Sequence, residues 1–177
     1  MGFRWLLSRN HGAPVSALEV RVGQGFDIHK AGTDPARKMV LGGCVFPGGH
    51  GLVGHSDGDA VAHAVAESLL GAAGLGDIGQ RFPDTDPALE GADSIDLLQR
   101  VVELVVADGW SIGNVDCSVV CESPKLAPMR DQMQQRLSDA VGAPVTVKGR
   151  RAEGLGAIGR GEGLMCLASA VITRSAQ

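Results

Sequence analysis

The run His55-Ser56-Asp57-Gly58-Asp59-Ala60-Val61-Ala62-His63 gathers two histidines, two aspartates and a serine just where a helix begins. Ser56 or Asp57 is a natural N-cap for that helix, with a side-chain oxygen for an exposed backbone N–H. The Ala-, Val- and Leu-rich stretch that follows is helix-forming. The first turn of such a helix offers free N–H groups and a positive dipole end to phosphate. His63 falls one turn beyond Asp59 on the same face. Upstream, Gly25-Phe26-Asp27-Ile28-His29 ends an apolar, strand-like run, and alternation puts Asp27 and His29 on one face of it. One carboxylate and two imidazoles with a fourth position open is the ligand pattern of a catalytic zinc site. Taken singly, Asp27, His29 and His63 read as readily as solvated or capping residues. Their combination with the polar knot favours a site.

The elements that must position these groups follow from periodicity. A first strand runs from Leu18 to His29, with Val20 and Val22 alternating with charged neighbours. Residues 30–38 form a polar loop. Met39 to Phe46 reads as one second strand, kinked at Gly42-Gly43. The helix carrying His63 ends between Gly71 and Gly74. Residues 75–87 form a long aspartate- and proline-containing segment, of a length that is often functional and also suits capping and turn chemistry. Ala92-Asp93-Ser94 opens a second helix with a wide apolar stripe through Ile95, Leu97, Leu98, Val101, Val102, Leu104 and Val105, stopped by Gly109. Val115, Cys117 and Val119 alternate through a third strand. A helix from Ala127 to Val141, a strand at Val145–Lys148, a glycine-rich loop at 149–163 and a final strand from Leu164 to Thr173 complete one α/β domain over residues 19–175. Residues 1–18, breaker-rich at Asn10 to Pro14, read as a disordered extension.

Composition bounds the function. The 177 residues are 44 % apolar and 20 % charged, as in a folded soluble domain. A formal charge of -4 gives no basic field for nucleic acid, and 3 % aromatic content with no tyrosine gives few stacking surfaces. No apolar run is long enough to span a membrane. Cys44, Cys117, Cys121 and Cys166 sit among apolar neighbours without a Cys-x-x-Cys pair, as buried thiols in a reducing, cytoplasmic compartment. Gly154-Leu-Gly-Ala-Ile-Gly159 matches a dinucleotide fingerprint in letters only, because a strand rather than a helix follows it.

The motifs together identify a family. Arg21-Val-Gly-Gln-Gly-Phe-Asp-Ile-His29, His55-Ser-Asp-Gly-Asp59, Gly76-Asp-Ile-Gly79, Phe82-Pro-Asp-Thr-Asp86-Pro, Gly91-Ala-Asp-Ser94, Gly113-Asn-Val-Asp116, Pro124-Lys125 and Gly159-Arg-Gly-Glu-Gly163 occur in family order. From about Arg21 to Arg174 the chain closely resembles the 2-C-methyl-D-erythritol 2,4-cyclodiphosphate synthases of the non-mevalonate isoprenoid pathway. The resemblance implies a ferredoxin-like α/β sandwich, a four-stranded sheet with helices on one face plus a small hairpin, assembled as a homotrimer with shared active sites. It implies zinc on Asp27, His29 and His63, and a second divalent cation, magnesium or manganese, on Glu153 and the substrate phosphates. Asp59 becomes a helix-entry residue or a support behind the metal ligands. His55, Ser56, Asp84 and Ser94 would contact the erythritol phosphate end, Asp77 and Gly79 the ribose, and Pro124, Lys125 and Leu126 the cytosine. Arg160 would sit near the trimer axis, by a cavity that can hold an isoprenoid diphosphate. The implied reaction is intramolecular phosphoryl transfer on 4-diphosphocytidyl-2-C-methyl-D-erythritol 2-phosphate, releasing CMP.

The chain departs from the family pattern in three places. Gly149-Arg150-Arg151-Ala152 replaces a threonine-rich run before Glu153, exchanging hydroxyls for larger, donor-only guanidinium groups at the cytidyl phosphates. Gln24 stands where histidine is usual, and Ala157 where phenylalanine is usual. Two rivals to an active synthase are a catalytically impaired trimeric binding protein of the same fold and a zinc phosphohydrolase that uses water as nucleophile.

Overall fold

The computed structural model describes residues 17–176. The expected N-terminal extension lies outside them apart from its last two residues. Leu18 already begins the first strand, and Ala17 accepts the Ala176 N–H at 2.7 Å.

A four-stranded sheet is the centre of the fold. Its strands are β1 (Leu18–Lys30), β4 (Ser111–Val120), β5 (Val145–Arg150) and β6 (Gly163–Ser175), in the order β1-β6-β4-β5. β6 runs antiparallel to both β1 and β4, and β4 and β5 are parallel. The sheet and its helices match the expected architecture, but the ferredoxin-like strand order does not. That order needs a β-α-β-β-α-β succession, whereas here it is β-α-β-α-β-β and the parallel pair lies at one edge. Residues 39–46, expected as one kinked strand, are a hairpin of β2 (Lys38–Leu41) and β3 (Cys44–His50). Gly42 and Gly43, at φ 57° and 69°, make the two-residue turn that only such residues adopt without strain.

Helix α1 (Ala60–Ala73) lies across β1 and β6. It comes close because Gly23 and Gly25 have no side chains. A Cβ there would meet Ser68 O at 1.9 Å and Ala64 O at 2.0 Å. Nearly every residue of α1 is buried, since α3 (Ser94–Ala107) covers its other side. On α3 the buried stripe is Ile95, Leu97, Leu98, Val101 and Val105, while of the others expected within it Val102 is half-buried and Leu104 exposed. α4 (Arg130–Val141) packs on β5 and begins three residues later than expected. Two short pieces, α2 (Ile78–Arg81) and a 3-10 turn at Pro87–Leu89, order the segment expected to be irregular. α5 (Gly156–Gly159) is a single turn before β6.

The other face of the sheet is uncovered. Even-numbered residues of β1 point out from it, leaving Val22 71 % and Phe26 52 % exposed beside Leu18, Val20 and Ile28. All four cysteines are buried and free. No helix among the described residues is long and apolar enough to cross a membrane.

Candidate active site

β1 and α1 bring the expected trio together. Asp27 and His29 leave the helix-facing side of β1, and His63 sits in the first turn of α1, directly above them. One ligand atom from each lies within 4.8 Å of the others. Asp27 Oδ2 is 3.0 Å from His63 Nδ1 and 3.1 Å from His29 Nδ1. His63 Nδ1 has hydrogen-bond geometry to that oxygen; His29 Nδ1 does not, and remains a buried ring nitrogen with no partner. The two rings are tilted at 43° with centroids 5.3 Å apart. Burial pushes the Asp27 carboxyl up, but His29 and His63 outweigh it and hold it at about 2. Burial pushes the His63 imidazole down, and Asp27 more than reverses that, so its value is raised. Three converging donors, one an orphaned buried nitrogen, fit a divalent cation of the zinc type. Among the described residues no other group of three His, Cys, Asp or Glu converges in this way.

The knot beside the trio is held from three sides. Arg37 Nη2 donates to Gly54 O at 3.0 Å and to Ser56 O at 2.5 Å. Asp57 N donates to Ala92 O at 3.0 Å, and Gly91 N to His55 O at 2.8 Å, so the knot pairs with the approach to α3. His55 Nε2 donates to Asp86 O at 2.9 Å. The N-cap of α1 is Asp59, in place of the expected Ser56 or Asp57. Ser56 and Asp57 turn the other way, toward Ser94 and His63. Asp59 is fully buried, and its carbonyl accepts the His63 N–H at 3.0 Å; its carboxylate makes no hydrogen bond to the trio but caps α1 and fastens the hairpin turn.

These groups line a cavity of ≈ 200 Å³ that holds Asp27, His29, His55, Ser56, His63, Gly79 and Asp84. Ser94 lies behind it, 1 % exposed, on His63. Asp77 does not line the cavity; it caps α2 through Gln80 N at 2.7 Å, next to the lining residues Ile78 and Gly79. Glu67 was not singled out from the sequence. It lines the cavity and accepts the Ile78 N–H at 2.9 Å, seating α2 on α1. Its only sequence signal was its place one helical turn after His63.

A second cavity, of ≈ 260 Å³, lies at the opposite edge of the sheet. Pro124, Lys125, Leu126, Arg150 and Arg151 line it as expected, together with Arg130 and Cys121. Four cations against one lining carboxylate, Glu122, make it basic. Glu153 stands just beyond in a turn at φ 53°, exposed and apart from the metal trio. Arg160 pairs with Glu162 at 2.6 Å on the surface. A third cavity, of ≈ 790 Å³ and lined by Ile28, Lys30, Ala157 and Ile158, opens next to that pair.

The chain is similar in sequence and fold to known proteins. A sequence model of the YgbB family matches residues 20–173. A 2-C-methyl-D-erythritol 2,4-cyclodiphosphate synthase of Cupriavidus metallidurans is 47 % identical over 163 residues, covering 90 % of this chain and 96 % of its own. A Plasmodium falciparum protein solved as a CDP complex superposes with a TM-score of 0.76 at 32 % identity, over 89 % of this chain and 97 % of its own. A bifunctional protein of Campylobacter jejuni superposes with a TM-score of 0.85 at 37 % identity. This chain corresponds to 43 % of that longer one, and 89 % of this chain is covered.

Proposed function

The chain belongs to the YgbB family, its activity is that of a 2-C-methyl-D-erythritol 2,4-cyclodiphosphate synthase, and we propose that Asp27, His29 and His63 hold the zinc ion the reaction uses. The enzyme is a lyase of the non-mevalonate pathway to isoprenoids. In the reaction an oxygen of the substrate's 2-phosphate bonds to the β-phosphorus, the bond from that phosphorus to the CMP phosphate breaks, and a cyclic diphosphate and CMP result. Both reacting phosphates are on one molecule, so the protein's work is to fold that molecule back on itself and neutralise its charge. Asp27, His29 and His63 would hold the zinc and Glu153 a magnesium or manganese ion, which would supply Lewis-acid polarisation and offset the charge on the departing CMP.

The protein's own residues do the positioning. Asp27 is held ionised by the two imidazoles, which suits a ligand and rules it out as a proton donor near neutrality. His55 is fixed by Asp86 O at the cavity mouth, beside Ser56 and Asp84, where the erythritol phosphate end is placed. Gly79 and Asp77, on and before α2, are assigned to the ribose, as are Pro124 to Leu126 to the cytosine. Arg150 and Arg151 stand with Lys125 and Arg130 where the cytidyl phosphates are assigned, and guanidinium groups bind phosphate without the family's hydroxyls. The metal cavity and the basic cavity are at opposite edges of the four-stranded sheet, roughly 14 Å apart by strand spacing. A site built from one chain's metal cavity and a neighbour's basic cavity accounts for both, and the uncovered apolar sheet face supports a homotrimer. The third cavity, with Ala157 in its lining, is assigned to an isoprenoid diphosphate, with Arg160 beside it through its pair with the lining Glu162. Four free thiols support a cytoplasmic location.

The observation that carries the zinc assignment is the convergence of three donors inside a cavity that also holds His55 and Ser56. Phosphorus NMR with the diphosphocytidyl substrate, zinc and magnesium tests the whole proposal. Two coupled cyclic-diphosphate signals growing with CMP are expected. Open-chain phosphates would indicate a hydrolase, and intact substrate on a zinc-loaded protein would leave a binding protein.

A further inference from the structure

Behind His63 stands a chain of hydrogen bonds that leads away from the cavity. Ser94 Oγ lies 2.9 Å from His63 Nε2 and makes a short hydrogen bond to Asp57 Oδ1. The Ser94 hydroxyl has a single hydrogen, while a carboxylate only accepts. Asp57 already gathers two backbone donors, the N–H of Ser94 at 3.2 Å and of Asp59 at 3.0 Å. The Ser94 hydrogen therefore goes to Asp57, and the Ser94 oxygen is left to accept from His63. Ser56 Oγ, 3.1 Å from the same ring nitrogen, accepts the Gly58 N–H at 3.3 Å and has Ser94 Oγ at 3.4 Å as an acceptor for its own hydrogen. With the Ser94 hydrogen committed to Asp57, the Ser94 contact at 2.9 Å calls for a hydrogen on His63 Nε2. The lone pair is then on Nδ1, the nitrogen that faces Asp27 Oδ2.

We propose that Asp57 is a positioning residue for the metal site, acting through Ser94 to hold His63 as the Nε2–H form and keep Nδ1 free as a ligand. The relay is needed because Asp27 pulls the other way. Its carboxylate, 3.0 Å from Nδ1, attracts a hydrogen onto the nitrogen that must bind the cation. A hydrogen-bonded partner on the far ring nitrogen fixes both the tautomer and the ring orientation of a metal-binding histidine. Here a serine hydroxyl carries the pull of the carboxylate across one extra bond. The inference rests on the zinc assignment of the Asp27, His29 and His63 trio.

Asp57→Asn and Ser94→Ala break the relay at different links. In Asp57→Asn the amide donates to Ser94 Oγ, the Ser94 hydrogen turns toward His63 Nε2, and the ring hydrogen moves to Nδ1. Ser94→Ala removes the hydroxyl but leaves the Asp57 carboxylate and its backbone bonds, and serves if the first variant fails to fold. Zinc titration by calorimetry is expected to show a loss of about 10- to 100-fold in affinity for each variant. Nitrogen NMR of the zinc-free proteins at alkaline pH, where imidazoles are neutral, is expected to show His63 shifted from the Nε2–H toward the Nδ1–H form. A merely structural role for Asp57 would not move that tautomer ratio. Zinc affinity and tautomer both unchanged in two folded variants would overturn the relay and leave the zinc assignment standing. Wild-type protein that binds no zinc would overturn both.

Discussion

Asp59 gives the sharpest test of how the site is assembled. Its buried carboxylate accepts four backbone hydrogen bonds. Oδ1 takes Gly42 N at 2.8 Å, Val61 N at 3.0 Å and Ala62 N at 3.1 Å, and Oδ2 takes Gly43 N at 2.6 Å. Two of these cap α1, and two fasten the turn of the β2–β3 hairpin to the helix that carries His63. Asp59→Ala removes a cap worth about 1 kcal/mol. It also strands two N–H groups at about 1–3 kcal/mol each, the Gly43 group toward the low end because water reaches it. The expected loss is about 3–5 kcal/mol. Asp59→Asn keeps the Oδ1 bonds and turns an NH2 toward Gly43 N–H, two donors face to face. Burial pushes the Asp59 carboxyl up against the pull of Gly43, Ala62 and Gly42, so a neutral side chain recovers part of that desolvation. Its expected loss is about 2 kcal/mol. Urea unfolding of metal-free protein at one fixed concentration measures both, and holds constant the linkage to assembly and ligand. A loss below about 1 kcal/mol for Asp59→Ala would refute the fastening, since the cap alone accounts for that much.

Gly25→Ala should cost at least about 1–3 kcal/mol, because the new methyl meets Ala64 O at 2.0 Å and must lift α1 off β1; it should also weaken zinc binding by displacing His63, as titration of the folded variant would show. In the metal-free protein the folded-state value of Asp27 is about 2 against 3.8, so its stabilisation is complete above 3.8 and lost as pH falls toward 2. That amounts to about 2 kcal/mol. His63 is raised, so the same ion pair is intact below the ordinary imidazole value of 6.5 and is lost as pH rises through the shifted one. Unfolding free energies measured in chelator across this range should show both limbs in wild type and neither in Asp27→Asn. Replacing Arg150 and Arg151 together by threonine should weaken CMP binding and reduce its salt dependence, with zinc affinity unchanged; an unaltered salt slope would place both guanidinium groups in solvent.

The trio was legible because two short periods carry it. Alternation along β1 puts Asp27 and His29 on one face, and His63 follows a capping run that can only start a helix. The apolar stripe of α3 and the alternating β4 were visible for the same reason, since side-chain direction within one element is a local property. The family motifs added roles for residues such as Lys125 and Glu153 that no local pattern assigns. What escaped the sequence depends on which distant segments meet. The cap of α1 is Asp59 rather than Ser56 or Asp57, because Gly42 and Gly43 supply two more donors from a hairpin sixteen or seventeen positions away. Asp57 then falls to Ser94, thirty-seven positions on, and only that contact makes it a partner of His63. The strand order, with its parallel pair at the edge, separates the metal cavity from the basic cavity. Spacing along a chain determines which side chains share a face, whereas packing between faces determines which of them meet, and the second is decided only when the whole core closes.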